Sequence, residues 1–213
     1  MCSRFENKES GISIFEKLKK DSMGNFILEA DEDTKKINIA PTNRIISVFR
    51  NKKDEYSIKN VFWGIQFDKQ AKSPIIFNSR IETISEKKYW KQVFSKSRCL
   101  IPATAFYEWK EINKTKIPHK IEISGNEIFY IASIFIKSDD NIYNSMITTT
   151  PNKYIKPIHN RMPVILGTQE ALDFLEAEPE KAMKFCKPFD EKVEMKIEIA
   201  EEILTEKQKK ALQ

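Results

Sequence analysis

Residues 98–150, RCLIPATAFYEWKEINKTKIPHKIEISGNEIFYIASIFIKSDDNIYNSMITTT, decide the fold class. Their β-branched and aromatic residues cluster in short runs over 99–101, 106–110, 120–123, 128–136 and 141–150. Such residues suit a pleated, half-buried surface, so each run reads as a strand. Upstream, RIISVFR at 44–50 and the segment 56–63 read as two more strands joined by the polar turn NKKDE, while INIAPTN forms a loop marked by Pro41. Downstream, 192–199 places Val193, Met195, Ile197 and Ile199 on alternate positions, the period of a strand. Helices are expected over 12–20, with Ser13 and Glu16 at capping-box spacing, and over 85–97. Two more follow: one N-capped by Thr168 and carrying Leu172, Phe174 and Leu175, the other over 178–185 with Pro179 at its first position. No linker rich in Gly, Ser or Pro interrupts the chain. The reading is a single α+β domain over 2–199, a largely antiparallel, barrel-like β-sheet with flanking helices, then a charged helix or tail over 200–213.

Composition narrows the chemistry. Of 213 residues, 40% are hydrophobic and 31% charged, with 14 Phe and 3 Trp, enough apolar matter for a real core. Only 5 Gly and 9 Pro exclude collagen-like and low-complexity architectures. Lys and Arg outnumber Asp and Glu by 36 to 31, a formal charge of +5 that permits nucleic acid as a partner without demanding it. Cys2, Cys99 and Cys186 are odd in number and far apart, which fits free thiols in a reducing compartment. The two histidines, His119 and His159, have no metal-ligand spacing, so no metal and no cofactor are expected. The opening MCSRFENKES has no apolar segment, and the run IFYIASIFI at 128–136 is far short of the ~20 residues of a membrane helix. A cytoplasmic, monomeric protein without membrane contact is expected.

Cys2 is the most informative position. Removal of Met1 would leave a cysteine carrying both an α-amine, pKa about 7.7–8.0, and a thiol near 8.5. The amine can condense with an aldehyde to an imine, and the thiol can then close a five-membered thiazolidine. The same residue could instead be the acyl-accepting nucleophile of an amidohydrolase, or a cysteine merely tolerated after Met. In FNSRIET, 77–83, an extended backbone would turn Asn78, Arg80 and Glu82 to one face, either an amide–guanidinium–carboxylate set suited to a phosphate-bearing ligand or a solvated strand edge. In AFYEWK, Glu108 is either a desolvated acid–base group among aromatics or half of a surface pair with Lys110. In PIHNRMP, Pro157 and Pro163 restrain a segment carrying His159, a candidate proton shuttle, and Arg161.

Together these blocks resemble a known family. MCSRF at the start, INIAP at 37–41, VFWG at 61–64, FNSRIET at 77–83, RCLIPATAFYEWK at 98–110 and IHNRMPVIL at 158–166 follow the order of the SOS-response-associated peptidase (SRAP) family. The resemblance implies a protein of the DNA-damage response that binds single-stranded DNA containing abasic sites, nucleoid-associated when on DNA. It implies a covalent thiazolidine link between Cys2 and the ring-opened sugar, self-processing peptidase activity that removes Met1, and an open question of lyase activity. By matching position, Cys2, Asn78, Glu108 and His159 are catalytic, and Arg4, Arg80, Arg161, Asn38, Trp63 and Phe67 contact DNA. Departures from the family pattern are Ser3 for the usual glycine, IQFDKQ after VFWG, Thr104-Ala105 before FYEWK, Asn160 after His159, and the ending after Ile199. Two other readings remain: an N-terminal-nucleophile cysteine amidohydrolase, against which the scarcity of glycine counts, and a non-covalent nucleic-acid binder.

Overall fold

The computed structural model describes residues 2–20, 24–31, 36–51, 55–67 and 73–213. In chain order the first part runs β1 (Arg4–Asn7), α1 (Gly11–Lys20), β2 (Asn25–Leu28), β3 (Lys36–Ile39), β4 (Arg44–Arg50), β5 (Glu55–Trp63), β6 (Asn78–Arg80), α2 (Ile81–Glu86) and α3 (Lys88–Lys96). Then come β7 (Arg98–Ala103), β8 (Ala105–Ile112), β9 (Thr115–Ile123), β10 (Phe129–Ser138), β11 (Asn141–Thr149), β12 (Met162–Pro163) and β13 (Ile165–Leu166). The chain closes with α4 (Thr168–Glu176), α5 (Pro179–Met183), β14 (Met195–Ile199), a 3-10 turn at Glu201–Ile203 and α6 (Glu206–Ala211).

Strands β5, β4, β7, β10 and β11 form a closed ring, because β11 returns to pair in parallel with β5 through Tyr143↔Phe62 and Asn144↔Trp63. A second, antiparallel sheet runs β14-β9-β8-β1-β3. The α+β, barrel-like expectation holds, with parallel pairings at β2–β5, β6–β11 and β11–β5.

Burial on both faces of the ring explains why its strands read as nearly unbroken apolar runs. On β10, Phe129 and Ile131 face the core shared with the second sheet, while Tyr130, Ala132 and Ile134 face the core beneath the helices. On β7 the same alternation sends Cys99, Ile101 and Ala103 one way and Leu100 the other.

Several local expectations are corrected. The extended segment of FNSRIET stops at Arg80, and Ile81 begins α2, so Glu82 leaves the face shared by Asn78 and Arg80. The single helix expected over 85–97 is two, broken where Lys87 takes an extended conformation. Helix α1 is capped by Ser10, whose Oγ accepts from the Ser13 N–H at 3.1 Å, while the Ser13 hydroxyl donates to Glu9 rather than pairing with Glu16. Gly167, not Thr168, is the N-cap of α4, its N–H donating to Glu170 at 3.3 Å. The β14 strand starts at Met195, later than residue 192. Residues 52–54 of the NKKDE turn lie outside the described residues, as do 68–70 of IQFDKQ.

Gly64, directly after β5, sits at φ +123°, and a Cβ there would lie 2.4 Å from Ile75 Cγ2. Both backbone strain and overlap therefore oppose a side chain. Gly64→Ala should cost about 1–3 kcal/mol and lower the thermal midpoint by several degrees; an unchanged melting curve would contradict this packing.

Candidate active site

The N-terminal strand is held between two others. β1 pairs with β8 through Arg4↔Tyr107 and Phe5↔Phe106, and with β3 through Phe5↔Ile39. This places Cys2 two residues before an inner strand, only 1% exposed. Its thiol donates to the Arg4 carbonyl at 3.2 Å, and its own carbonyl accepts from Asn78 Nδ2 at 2.7 Å. Burial, and then the negative charge of nearby Glu108, push the thiol well above its ordinary range. Near neutral pH it is therefore a thiol, not a preformed thiolate.

Glu108 follows Tyr107 on β8 and is also only 1% exposed. Burial lifts its carboxyl from 4.5 to about 7. Glu108 is thus a buried carboxyl rather than half of an exposed surface pair with Lys110. A carboxyl that is half protonated near neutral pH can both give and take a proton.

Asn78 reaches Cys2 from β6, which lies parallel to β11 with Met146 opposite Asn78. Its amide nitrogen donates to the Cys2 carbonyl. Its Oδ1 is buried and has no donor among the described residues. A buried carbonyl without a donor costs about 1–3 kcal/mol, which a ligand N–H or O–H would recover.

His159 lies in the loop between β11 and β12, its N–H bonded to Ile155 O at 2.9 Å. Its Nδ1 accepts from the Arg161 N–H at 3.0 Å, and burial lowers its pKa. The ring is thus neutral at pH 7, with its proton on Nε2. Arg161 grips both oxygens of Glu82 at 2.7 and 2.9 Å and the Thr148 carbonyl at 2.7 Å. That fork holds the Glu82 carboxyl below its usual range and clips the His159 loop to the unit that carries Asn78.

The expected DNA-contacting residues divide by exposure. Arg80 is exposed at the N-cap of α2, and Asn38 is exposed with φ +58°. Arg4 is half-buried and donates to Ser3 O at 2.7 Å. Phe67 is exposed. Arg161 is buried and its terminal nitrogens are occupied by Glu82 and Thr148, so in this state it positions His159 rather than offering a guanidinium to a phosphate. Trp63 is fully buried: its indole donates to Phe77 O at 2.9 Å and packs edge-on against Phe5 and Phe77. Contact between Trp63 and DNA is therefore corrected to support of β1 and β6 from beneath.

A cleft of about 350 Å³ opens beside Asn78, lined also by Ile76, Arg80, Thr83 and Trp90. Larger depressions of about 550 and 790 Å³ contain none of the four expected catalytic residues. Sequence reasoning missed the Arg161–Glu82 clip because the start of α2 was not visible. It also missed Glu6, buried and paired with Lys120 at 3.2 Å and bonded by the Tyr107 hydroxyl at 3.4 Å; alternation along SRFEN could have shown it facing away from Phe5. No group of three or more His, Cys, Asp or Glu placed to hold a metal occurs among the described residues. No helix among them is long and apolar enough to cross a membrane.

A family model described as SOS response associated peptidase (SRAP) matches residues 1–203. The chain is 31% identical over 203 residues to the abasic site processing protein YoqW of Bacillus subtilis (strain 168), covering 89% of this chain and 88% of that protein. It is 24% identical over 183 residues to the abasic site processing protein YedK of Escherichia coli (strain K12), covering 84% and 81%. An X-ray structure of a protein from Bacteroides thetaiotaomicron shares the fold with a TM-score of 0.78 at 21% identity, covering 93% of this chain and 91% of that one.

Proposed function

The chain belongs to the SOS response associated peptidase (SRAP) family, and on that premise we propose that it processes abasic sites in single-stranded DNA by covalent capture through Cys2. The observation that carries the reading is the 2.7 Å bond from Asn78 to the Cys2 carbonyl, made beside a carboxyl whose pKa burial sets near 7. A buried cysteine tied at its backbone presents an N-terminal amine, once self-processing has removed Met1, in one fixed place.

The reaction runs in three steps. An abasic sugar is mostly a closed hemiacetal, so its ring oxygen must be protonated and its hydroxyl deprotonated to release the C1′ aldehyde. The Glu108 carboxylate takes the hydroxyl proton, His159 Nε2–H donates a hydrogen bond to the ring oxygen as its bond to C1′ breaks, and that oxygen takes its proton from solvent. The Cys2 amine then attacks C1′, and the carbinolamine loses one water as the imine forms. Glu108 supplies the proton to the departing hydroxyl. Finally Sγ bonds to the imine carbon, the C=N π-electrons move to nitrogen, and the thiol proton is delivered there. The net loss is one water. A thiol that stays protonated fits this order, because the amine acts first and the sulfur only closes the ring.

Asn78 Oδ1 accepts from the reacting nitrogen or a sugar hydroxyl. Arg4 and Arg80 hold phosphates, Asn38 and Phe67 lie along the strand, and Arg161 keeps His159 oriented. Wild-type protein mixed with a single-stranded oligonucleotide carrying one abasic site should give a complex that survives a denaturing gel; its absence would refute the reading. His159→Ala should slow complex formation about 100-fold while affinity for undamaged strand, read by fluorescence anisotropy, stays within about twofold.

A further inference from the structure

Phe67 and Tyr89 are 54% and 49% exposed, the two aromatics among the exposed large hydrophobic side chains described. They touch each other edge-to-face, ring centroids 5.7 Å apart. Both also pack on Trp90, at 5.9 and 5.2 Å. Trp90 in turn lines the cleft that holds Asn78 and Arg80. The cluster is therefore continuous with the candidate active site, although Phe67 precedes β6 and the other two rings belong to α3.

Tilted ring pairs leave aromatic faces that the partner ring does not cover. The charge around this cluster is mostly basic. Lys87, Lys88 and Lys91 are exposed at the same end of α3, and Arg80 is exposed across the cleft. Glu86 is the opposing charge, while Glu82 is already paired with Arg161. Flat uncovered rings among cations fit a flat base on an anionic backbone, and not an aliphatic surface.

We propose that Phe67, Tyr89 and Trp90 form a stacking platform for the nucleobase next to the lesion, with Tyr89 the main contact and Lys87 and Lys91 serving its phosphates. The proposal rests on the single-stranded DNA reading above and adds a recognition element on α3. Every base has a π-face, so such a platform holds the strand in register without reading its sequence. The missing base of the lesion itself leaves nothing to stack, so the neighbouring base is the one that can anchor the strand while the bare sugar enters the cleft.

The test uses single-stranded oligonucleotides with a central, unreactive tetrahydrofuran abasic mimic and either a base or a second mimic at each flanking position. Binding is followed by anisotropy for wild type, Tyr89→Ala and Tyr89→Phe. Tyr89→Ala should bind the base-flanked oligonucleotide about tenfold more weakly than wild type, and Tyr89→Phe should stay within about twofold. Removing the flanking base on one side should weaken wild type by the same factor and add nothing to the Tyr89→Ala loss. Equal affinity of Tyr89→Ala and wild type, or losses that multiply, would overturn the platform. Self-association abolished by Tyr89→Ala with DNA affinity unchanged would overturn it too and assign the patch to a second copy of the chain. A failure of the Cys2 reading looks different: no variant forms a denaturation-resistant complex with a true abasic site, while the Tyr89-dependent binding persists and supports the platform.

Discussion

Cys2→Ala should abolish the denaturation-resistant complex with abasic single-stranded DNA, with no residual band on a heated gel. The substitution removes the sulfur that closes the ring and leaves the amine in place. Capture then stops at an imine, which hydrolyses on denaturation. An imine at C1′ also acidifies the neighbouring C2′ hydrogens, so strand scission by β-elimination should rise above the wild-type level. In the proposed mechanism, closure by sulfur therefore shields the strand as well as marking the lesion. The fold should survive, because Cys2 contributes one small side chain to a core that also contains Phe5, Trp63, Phe106 and Phe129. A thermal midpoint close to wild type, together with retained affinity for undamaged strand, separates lost chemistry from lost structure. A heat-stable band in Cys2→Ala would locate the covalent bond elsewhere.

Glu108→Gln should lower the rate of complex formation about 100- to 1,000-fold, and the rate–pH profile should lose its inflection near 7. Stability should move in the opposite direction. The folded-state pKa of about 7 lies above the ordinary carboxyl value of 4.5, so the folded chain holds the proton more tightly than the unfolded one. The associated stability is complete below about 4.5 and is lost as pH rises through 7. Glutamine never ionises, so the variant avoids this loss. At pH 8 it should be more stable than wild type by up to about 3 kcal/mol, and the difference should vanish near pH 4.5. A purely structural role for Glu108 would predict lower stability without the loss of the pH inflection. Equal stabilities at pH 8 would show that the carboxylate is not desolvated.

How much was legible in the sequence depended on whether a signal was local. RIISVFR reads as β4 residue for residue, because a strand buried on both faces is apolar along most of its length, here at four of the five buried positions. The same burial makes IFYIASIFI conspicuous on β10. β1 has only four residues, mixing polar with apolar groups, and β6 only three, all polar. Their strand character comes from pairing with β8 and β11, partners distant in sequence. The candidate site follows the same division. Cys2 stands out because removal of Met1 would join a free amine to its thiol. The burial of Glu108 depends on β1 and the second sheet and could not be weighed against a Lys110 pair in advance. Glu82 as the partner of Arg161 depends on α2 starting at Ile81. The YW pair at 89–90 reads as ordinary helix packing, and only the approach of Phe67 gathers the three rings into one cluster.

The central claim is that Cys2, freed of Met1, captures the abasic sugar through nitrogen and sulfur together. Intact mass spectrometry and peptide mapping of the denatured complex, formed without reductant, test it most directly. The predicted mass is that of the chain lacking Met1 plus the oligonucleotide less one water, with the modification on the peptide that begins at Cys2. An adduct on a lysine-containing internal peptide, an adduct on protein that retains Met1, or no adduct at all would contradict it.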